Sequence, residues 1–216
     1  MKNLSPALVA LVLSGCVSIP PTPVQPFPSH DQWILLSDLT YSIGNTGVVL
    51  TVPAGFVTDY ASIPRGFWGI ASPQDNYSEA AIVHDYLYWT QSCTRSQADN
   101  IFLVAMKEAS VNPFRRWFIH RAVRSAGQSS WNENAEQFKE GLPRIVPKEN
   151  FKLTAKDQWP AFRKALADKG IHDPVIPKNL PYCLIGNSTD VPEGFQKKPY
   201  GNAPNSQHVV ELINHQ

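Results

Sequence analysis

The chain carries almost no net charge: 19 lysines and arginines face 18 aspartates and glutamates, for a formal charge of +1 over 216 residues. Nucleic-acid binding wants a clustered basic surface, so this composition gives no electrostatic ground for it, and no nucleic acid is expected as a partner. Long apolar runs are also scarce. The N-terminal stretch over residues 4–13, interrupted by Ser5 and Pro6, falls well short of the ~20 residues that a spanning helix needs. Cysteine is rare at three residues, which excludes a disulfide-dense scaffold. There is no internal repeat, and no G-x-S-x-G element that would expose a serine nucleophile at a sharp turn. Ser62 is therefore a poor nucleophile. About 200 residues suffice for one well-cored domain with appendages rather than two full domains.

What is present begins at the N-terminus. Met1-Lys2-Asn3, an apolar segment, and then Leu13-Ser14-Gly15-Cys16 have the order of a secretion signal followed by a bacterial lipobox. Small residues before the cysteine admit a dedicated peptidase, and the thiol carries lipid. Residues 1–15 are thus expected to be removed and Cys16 to become the acylated first residue, with a palmitate-type chain beside diacylglycerol. Paired chains make such anchoring stable. Val17 follows where an aspartate would resemble an inner-membrane retention signal, so the expected location is the outer membrane, facing the periplasm. Residues 16–30 contain five prolines, Pro20, Pro21, Pro23, Pro26 and Pro28, and read as an extended lipidated tether.

With Cys16 given to lipid, Cys93 and Cys183 remain as a pair in an oxidising compartment. A disulfide between them would close a loop of about 90 residues, worth about 4 kcal/mol in the chain-entropy model; two separate buried thiols are the alternative.

The domain reads as an α+β fold over residues 31–140, with residues 141–216 as a C-terminal extension holding one helix and an irregular arm. Strand patterns occupy residues 33–36, 39–43 and 48–52, the last two joined by the turn Gly44-Asn45-Thr46-Gly47, whose residues tolerate positive φ. The small antiparallel sheet is expected to pack with three to four helices. The first spans 76–89, with Asn76 and Glu79 as a capping box, and is apolar nearly all round, so it should run through the core. The second starts at Ser96, with Asp99 as the acid of its cap. The third has Asn112 as cap and Pro113 as first residue, and Gly127 is expected to end it. A fourth covers 155–169, its start movable by Pro160.

Two segments concentrate polar residues among apolar ones: Thr58-Asp59-Tyr60-Ala61-Ser62-Ile63-Pro64-Arg65 and His84-Asp85-Tyr86-Leu87-Tyr88. With Arg95, Asp99, Phe102, Arg124, Gly127 and Trp131, they resemble the shared T-D-x-A-S-x-P and H-D-x-L-Y elements of domain-of-unknown-function family 1353, found in tailed phages, prophages and bacteria. The resemblance covers residues 52–131 and implies no established activity.

Function must be argued from the residues. A buried carboxylate needs partners, since an unpaired charge in a core costs several kcal/mol. One reading makes Asp59, His84 and Asp85 catalytic, with Asp99 joining them around a divalent metal that activates water; His120 is a further candidate ligand. The other reading is scaffold: Asp59 caps the turn at Ser62, Asp85 pairs with Arg65 or Arg95, and His84 bonds a backbone carbonyl. The stripe Arg116, His120 and Arg124 could grip an anionic surface, but reads better as a solvated face paired with Glu133, Glu136 and Glu140. Two functions follow: a metal-dependent hydrolase of an envelope substrate such as peptidoglycan, or a non-catalytic envelope lipoprotein, of phage or prophage origin, that binds an envelope component.

Overall fold

The computed structural model describes residues 22–60 and 77–192. Cys16, Ser62, Arg65 and Asn76, with the roles expected of them, lie outside those residues. The architecture is α+β, as the sequence patterns indicate. Strands β1 (Val24–Pro26), β2 (Trp33–Leu35) and β5 (Val57–Thr58) form one antiparallel sheet in the order β1-β2-β5. Strands β3 (Leu39–Ser42) and β4 (Val49–Val52) form the expected hairpin, with Leu39 opposite Val52 and Ser42 opposite Val49.

Successive side chains of a strand point to opposite faces, and β2 uses both. Leu35 enters the main core, whereas Ile34 joins a second cluster with Phe27, Val57, Val146, Trp159 and Leu166. That second cluster corrects the expectation of a tether through residue 30. Val24 and Pro26 belong to β1, and Phe27, fully buried, lies against the Trp159 ring at 5.3 Å. Proline is tolerated on an edge strand, and burying one phenylalanine is worth about 1.5–3 kcal/mol, enough to fold this end of the proline-rich stretch onto the sheet.

Helix α1 (Ser78–Thr90) runs through the core, with every residue from Ala80 to Trp89 buried. Its first turn has no side-chain cap, and Glu79 instead accepts a bond from the Thr22 amide. Helix α2 (Arg95–Glu108) is capped by Thr94, whose hydroxyl accepts from the Gln97 amide while the Gln97 side chain accepts from the Thr94 amide. The capping box lies two residues before the expected Ser96, and Asp99 is left for other work.

Helix α3 (Pro113–Lys139) has Asn112 as its cap, and runs straight past Gly127 to residue 139. Gly127 is buried in mid-helix because a Cβ there would sit 2.4 Å from the Tyr88 hydroxyl. The glycine answers a close approach between helices, not a chain reversal. Helix α4 (Trp159–Asp168) starts later than the pattern alone suggests, with Pro160 in its first turn.

After α3, the described residues through 192 are bonded into the same unit as the strands and first helices. Residues 144–146 run beside residues 55–57: the Val57 amide donates to the Arg144 carbonyl, and the Val146 amide donates to the Gly55 carbonyl. Gly55, at φ +90°, leaves no room for a Cβ against the Val146 carbonyl. The short helix α5 (Pro181–Ile185) carries Cys183, which forms the disulfide with Cys93. Among the described residues no helix is long and apolar enough to cross a membrane.

Candidate functional site

A cavity of about 800 Å³ lies between α1, α3 and the segment 142–163. Its lining includes Asp59, His84 and Asp85, so the three residues expected to carry chemistry share one space. Trp117, Phe118, Val123 and Trp159 supply apolar wall, and Arg121, Arg144 and Arg163 supply positive charge. His120 does not line it; burial pulls the His120 pKa below its usual value.

The polar floor divides into two clusters. In the first, Asp99 is fully buried at the α1–α2 contact. Its Oδ1 accepts from the Tyr88 hydroxyl at 2.7 Å and lies 3.0 Å from His84 Nε2, while Oδ2 accepts from Arg95 at 3.1 Å. Burial alone would raise the Asp99 pKa. The hydrogen bond from His84, the Tyr88 hydroxyl and Arg95 outweigh it and hold the carboxyl below its usual range. An ionised carboxylate only accepts, so His84 Nε2 is the donor. The other ring nitrogen, Nδ1, is buried with no hydrogen-bond partner. The His84 ring stacks on Phe102 at 4.6 Å. His84 thus bonds a carboxylate rather than a backbone carbonyl, and Arg95 pairs with Asp99 rather than Asp85.

In the second cluster, Asp85 Oδ2 accepts from the Thr58 hydroxyl at 2.5 Å and from the Asp59 amide at 3.2 Å. The Thr58 hydroxyl also accepts from the Tyr60 amide. These bonds hold Tyr60 at φ +60°, a left-handed conformation that costs a non-glycine residue about 1 kcal/mol. Asp59 is about a third exposed and faces Arg144 Nη2 at 3.8 Å, beyond hydrogen-bonding distance.

These bonds correct the metal-ligand expectation. Asp59, His84, Asp85 and Asp99 do not form one donor set, because Asp99 is enclosed by three donors and Asp85 is spent on the 58–60 turn. Among the described residues, no three His, Cys, Asp or Glu side chains are grouped so as to hold a metal ion. In the α3 stripe, Arg124 donates to the Ser96 hydroxyl and Arg116 to the Val111 carbonyl, rather than to the expected acids.

Several working residues gave no readable signal. Arg144 donates through Nε to the Val57 carbonyl and through Nη1 to Asn134 Oδ1, both at 2.8 Å. Arg163 donates to Gln137 Oε1 at 2.6 Å and to the carbonyls of Pro143 and Leu142. Its guanidinium lies between the Trp89 and Trp159 rings, at 5.4 and 5.1 Å. Asp173 accepts from the Trp89 indole and from the amides of Arg144 and Ile145, which ties the C-terminal segment to α1.

No solved structure matches the chain. Among curated proteins, the "Uncharacterized protein y4jT" of Sinorhizobium fredii (strain NBRC 101917 / NGR234) is 32% identical over 95 residues, or 43% of this chain and 28% of that protein. The match spans little more than a quarter of the relative's length. Residues 33–123 match the family model described as "Protein of unknown function (DUF1353)", so this part of the chain is similar to that family.

Proposed function

We propose that this protein is a membrane-anchored envelope lipoprotein that binds a small envelope component in the cavity between α1 and α3 without transforming it. The cavity itself carries the reading: a space of about 800 Å³ with aromatic walls and a few convergent polar groups is the form that ligand sites take. The floor beneath it supports binding over chemistry. Asp85 and Asp99 are almost wholly buried and their oxygens are taken by protein donors, which fixes shape more than it offers reactive groups. The lipobox at Leu13-Ser14-Gly15-Cys16 supports attachment to the periplasmic face of a membrane, and the family resemblance supports a phage or prophage ancestry.

One observation favours a second reading, a hydrolase. Asp99 orients His84 through Nε2 and leaves Nδ1 buried and unbonded beside the cavity, which is the arrangement of a general base held in one tautomer by a carboxylate. In this reading His84 takes a proton from the water that attacks the substrate and returns it to the departing group, while Asp59 positions the substrate.

Exposing the purified chain to an envelope extract and weighing it by native mass spectrometry separates the two. Binding predicts a retained component of unchanged composition in the wild type, absent from Ala122→Trp, which fills the cavity from α3. New cleavage products that vanish with His84→Ala would establish the hydrolase. An extract left unaltered with nothing retained would overturn both.

A further inference from the structure

Two arginines, each more than nine-tenths buried, line the same end of the cavity: Arg144 is 9% exposed and Arg163 is 7% exposed. Buried charges in proteins are normally paired, yet the hydrogen bonds of both guanidinium groups go to neutral acceptors. Arg163 donates to two backbone carbonyls and a glutamine, and Arg144 to a backbone carbonyl and an asparagine. The carboxylate nearest to either is Asp59, 3.8 Å from Arg144 Nη2. Asp173 is spent on backbone amides and an indole, and Glu133 and Glu140 act on Arg163 only through space. Burial first, and the charge of Arg144 second, lower Arg163 to about 10. Positive charge is thus held in a buried, aromatic pocket end with one donor, Arg144 Nη2, turned to an acceptor too distant to bond.

We propose that the Arg144–Arg163 end of the cavity is a binding site for an oxyanion, the carboxylate or phosphate group of the ligand. This rests on the reading of the cavity as a ligand site. An anionic oxygen accepting from Arg144 Nη2 would supply the charge-assisted bond that Asp59 is too far away to make, and the Trp89 and Trp159 faces beside Arg163 would shield it from water. The apolar wall at Trp117, Phe118 and Val123 then accommodates the remainder, so the ligand is an amphiphile with one acidic group. Asp59, partly buried and of the same sign as the ligand, competes with it for Arg144.

The test is thermal unfolding of the full chain titrated with inorganic phosphate or with acetate, against chloride at equal ionic strength. At least one of the two should raise the melting temperature saturably, and the stronger names the source: phosphate a phosphoryl group, acetate a carboxylate. Arg163→Gln should weaken the apparent affinity about tenfold. Asp59→Asn should strengthen it about threefold by removing a like charge. A gain is an effect that misfolding cannot imitate, so this variant decides the matter even if Arg163→Gln is unstable. A wild type that responds to both probes no more than to chloride, or an Asp59→Asn chain whose affinity is unchanged or weaker, would overturn the proposal. The outcomes are independent of the envelope-extract experiment. An extract component retained without response to phosphate or acetate removes only the oxyanion site; a response to them with nothing retained and no cleavage product removes only the wider functional reading.

Discussion

Asp99 and Asp59 are both carboxylates beside an arginine and beside the same cavity, and the protein uses them in opposite ways. Asp99 has no exposed surface and three side-chain donors around it. Asp59 is 30% exposed at its side chain, and its arginine stands 3.8 Å away. A fully satisfied buried network fixes a unique packing, whereas a loose pair at a cavity wall can be re-partnered when a ligand arrives. On the proposed reading, the Asp99 cluster belongs to the stability of the α1–α2 contact and the Asp59–Arg144 side to binding. The division follows the chain as well: Asp99, His84, Tyr88 and Arg95 fall within residues 33–123 that match the family model, while Arg144 and Arg163 lie beyond them.

The largest expected effect is at Asp99. Asp99→Ala strands three donors in the core and should cost about 3–5 kcal/mol, read from the midpoint of urea unfolding. A smaller loss would place the cluster on the binding side after all. Next comes the disulfide. Replacing Cys93 and Cys183 by serine should cost about 2–4 kcal/mol, and because Tyr182 beside it bonds Ser92, the loosened segment should lose protection from hydrogen exchange. Gly127→Ala follows, at about 1–3 kcal/mol from overpacking against Tyr88, read from the same urea midpoint. Least affected is Asp59→Asn, a partly exposed pair member whose loss should move stability by less than about 1 kcal/mol.

Acid sharpens the same contrast. The carboxyl of Asp99 is held below its ordinary value in the folded chain, so the folded state favours the ionised form more than the unfolded state does. Its contribution is complete above the unfolded pKa and disappears as pH falls through the lowered folded value. Asp99→Asn should flatten the acid side of the stability profile, measured by urea unfolding across that range. An unchanged acid slope would show that Asp99 is not the group that the network stabilises.

The sequence was most readable where a local rule had one physical answer. The Gly44-Asn45-Thr46-Gly47 turn, the Asn112-Pro113 start of α3 and the apolar α1 are each set by neighbours in the chain, and each appears in the fold. It misled where one residue type serves two purposes. Gly127 looks like a helix stop but makes room for a hydroxyl 39 positions earlier. Asp99 fits a cap at Ser96, while the Thr94–Gln97 pair does the capping and frees Asp99 for His84. The pairing of Cys93 with Cys183 could be reached because lipidation of Cys16 was expected to leave two thiols. Asp59, His84 and Asp85 line one space but fall into two hydrogen-bonded clusters where one was expected, because partners such as Thr58 and Tyr88 cannot be assigned without coordinates. Arg144 and Arg163 had no motif at all. Their positions depend on backbone pairing between residues 144–146 and 55–57, a long-range contact with no periodicity to announce it.

The division between a stabilising carboxylate and a binding one is tested most directly by phosphate-titrated thermal unfolding of Asp99→Asn set beside Asp59→Asn. The account predicts that Asp99→Asn melts well below wild type with its phosphate affinity nearly unchanged, and that Asp59→Asn melts close to wild type with its affinity raised. If instead Asp99→Asn keeps its melting temperature, or Asp59→Asn loses stability without gaining affinity, the two carboxylates do not divide the work and the account is wrong.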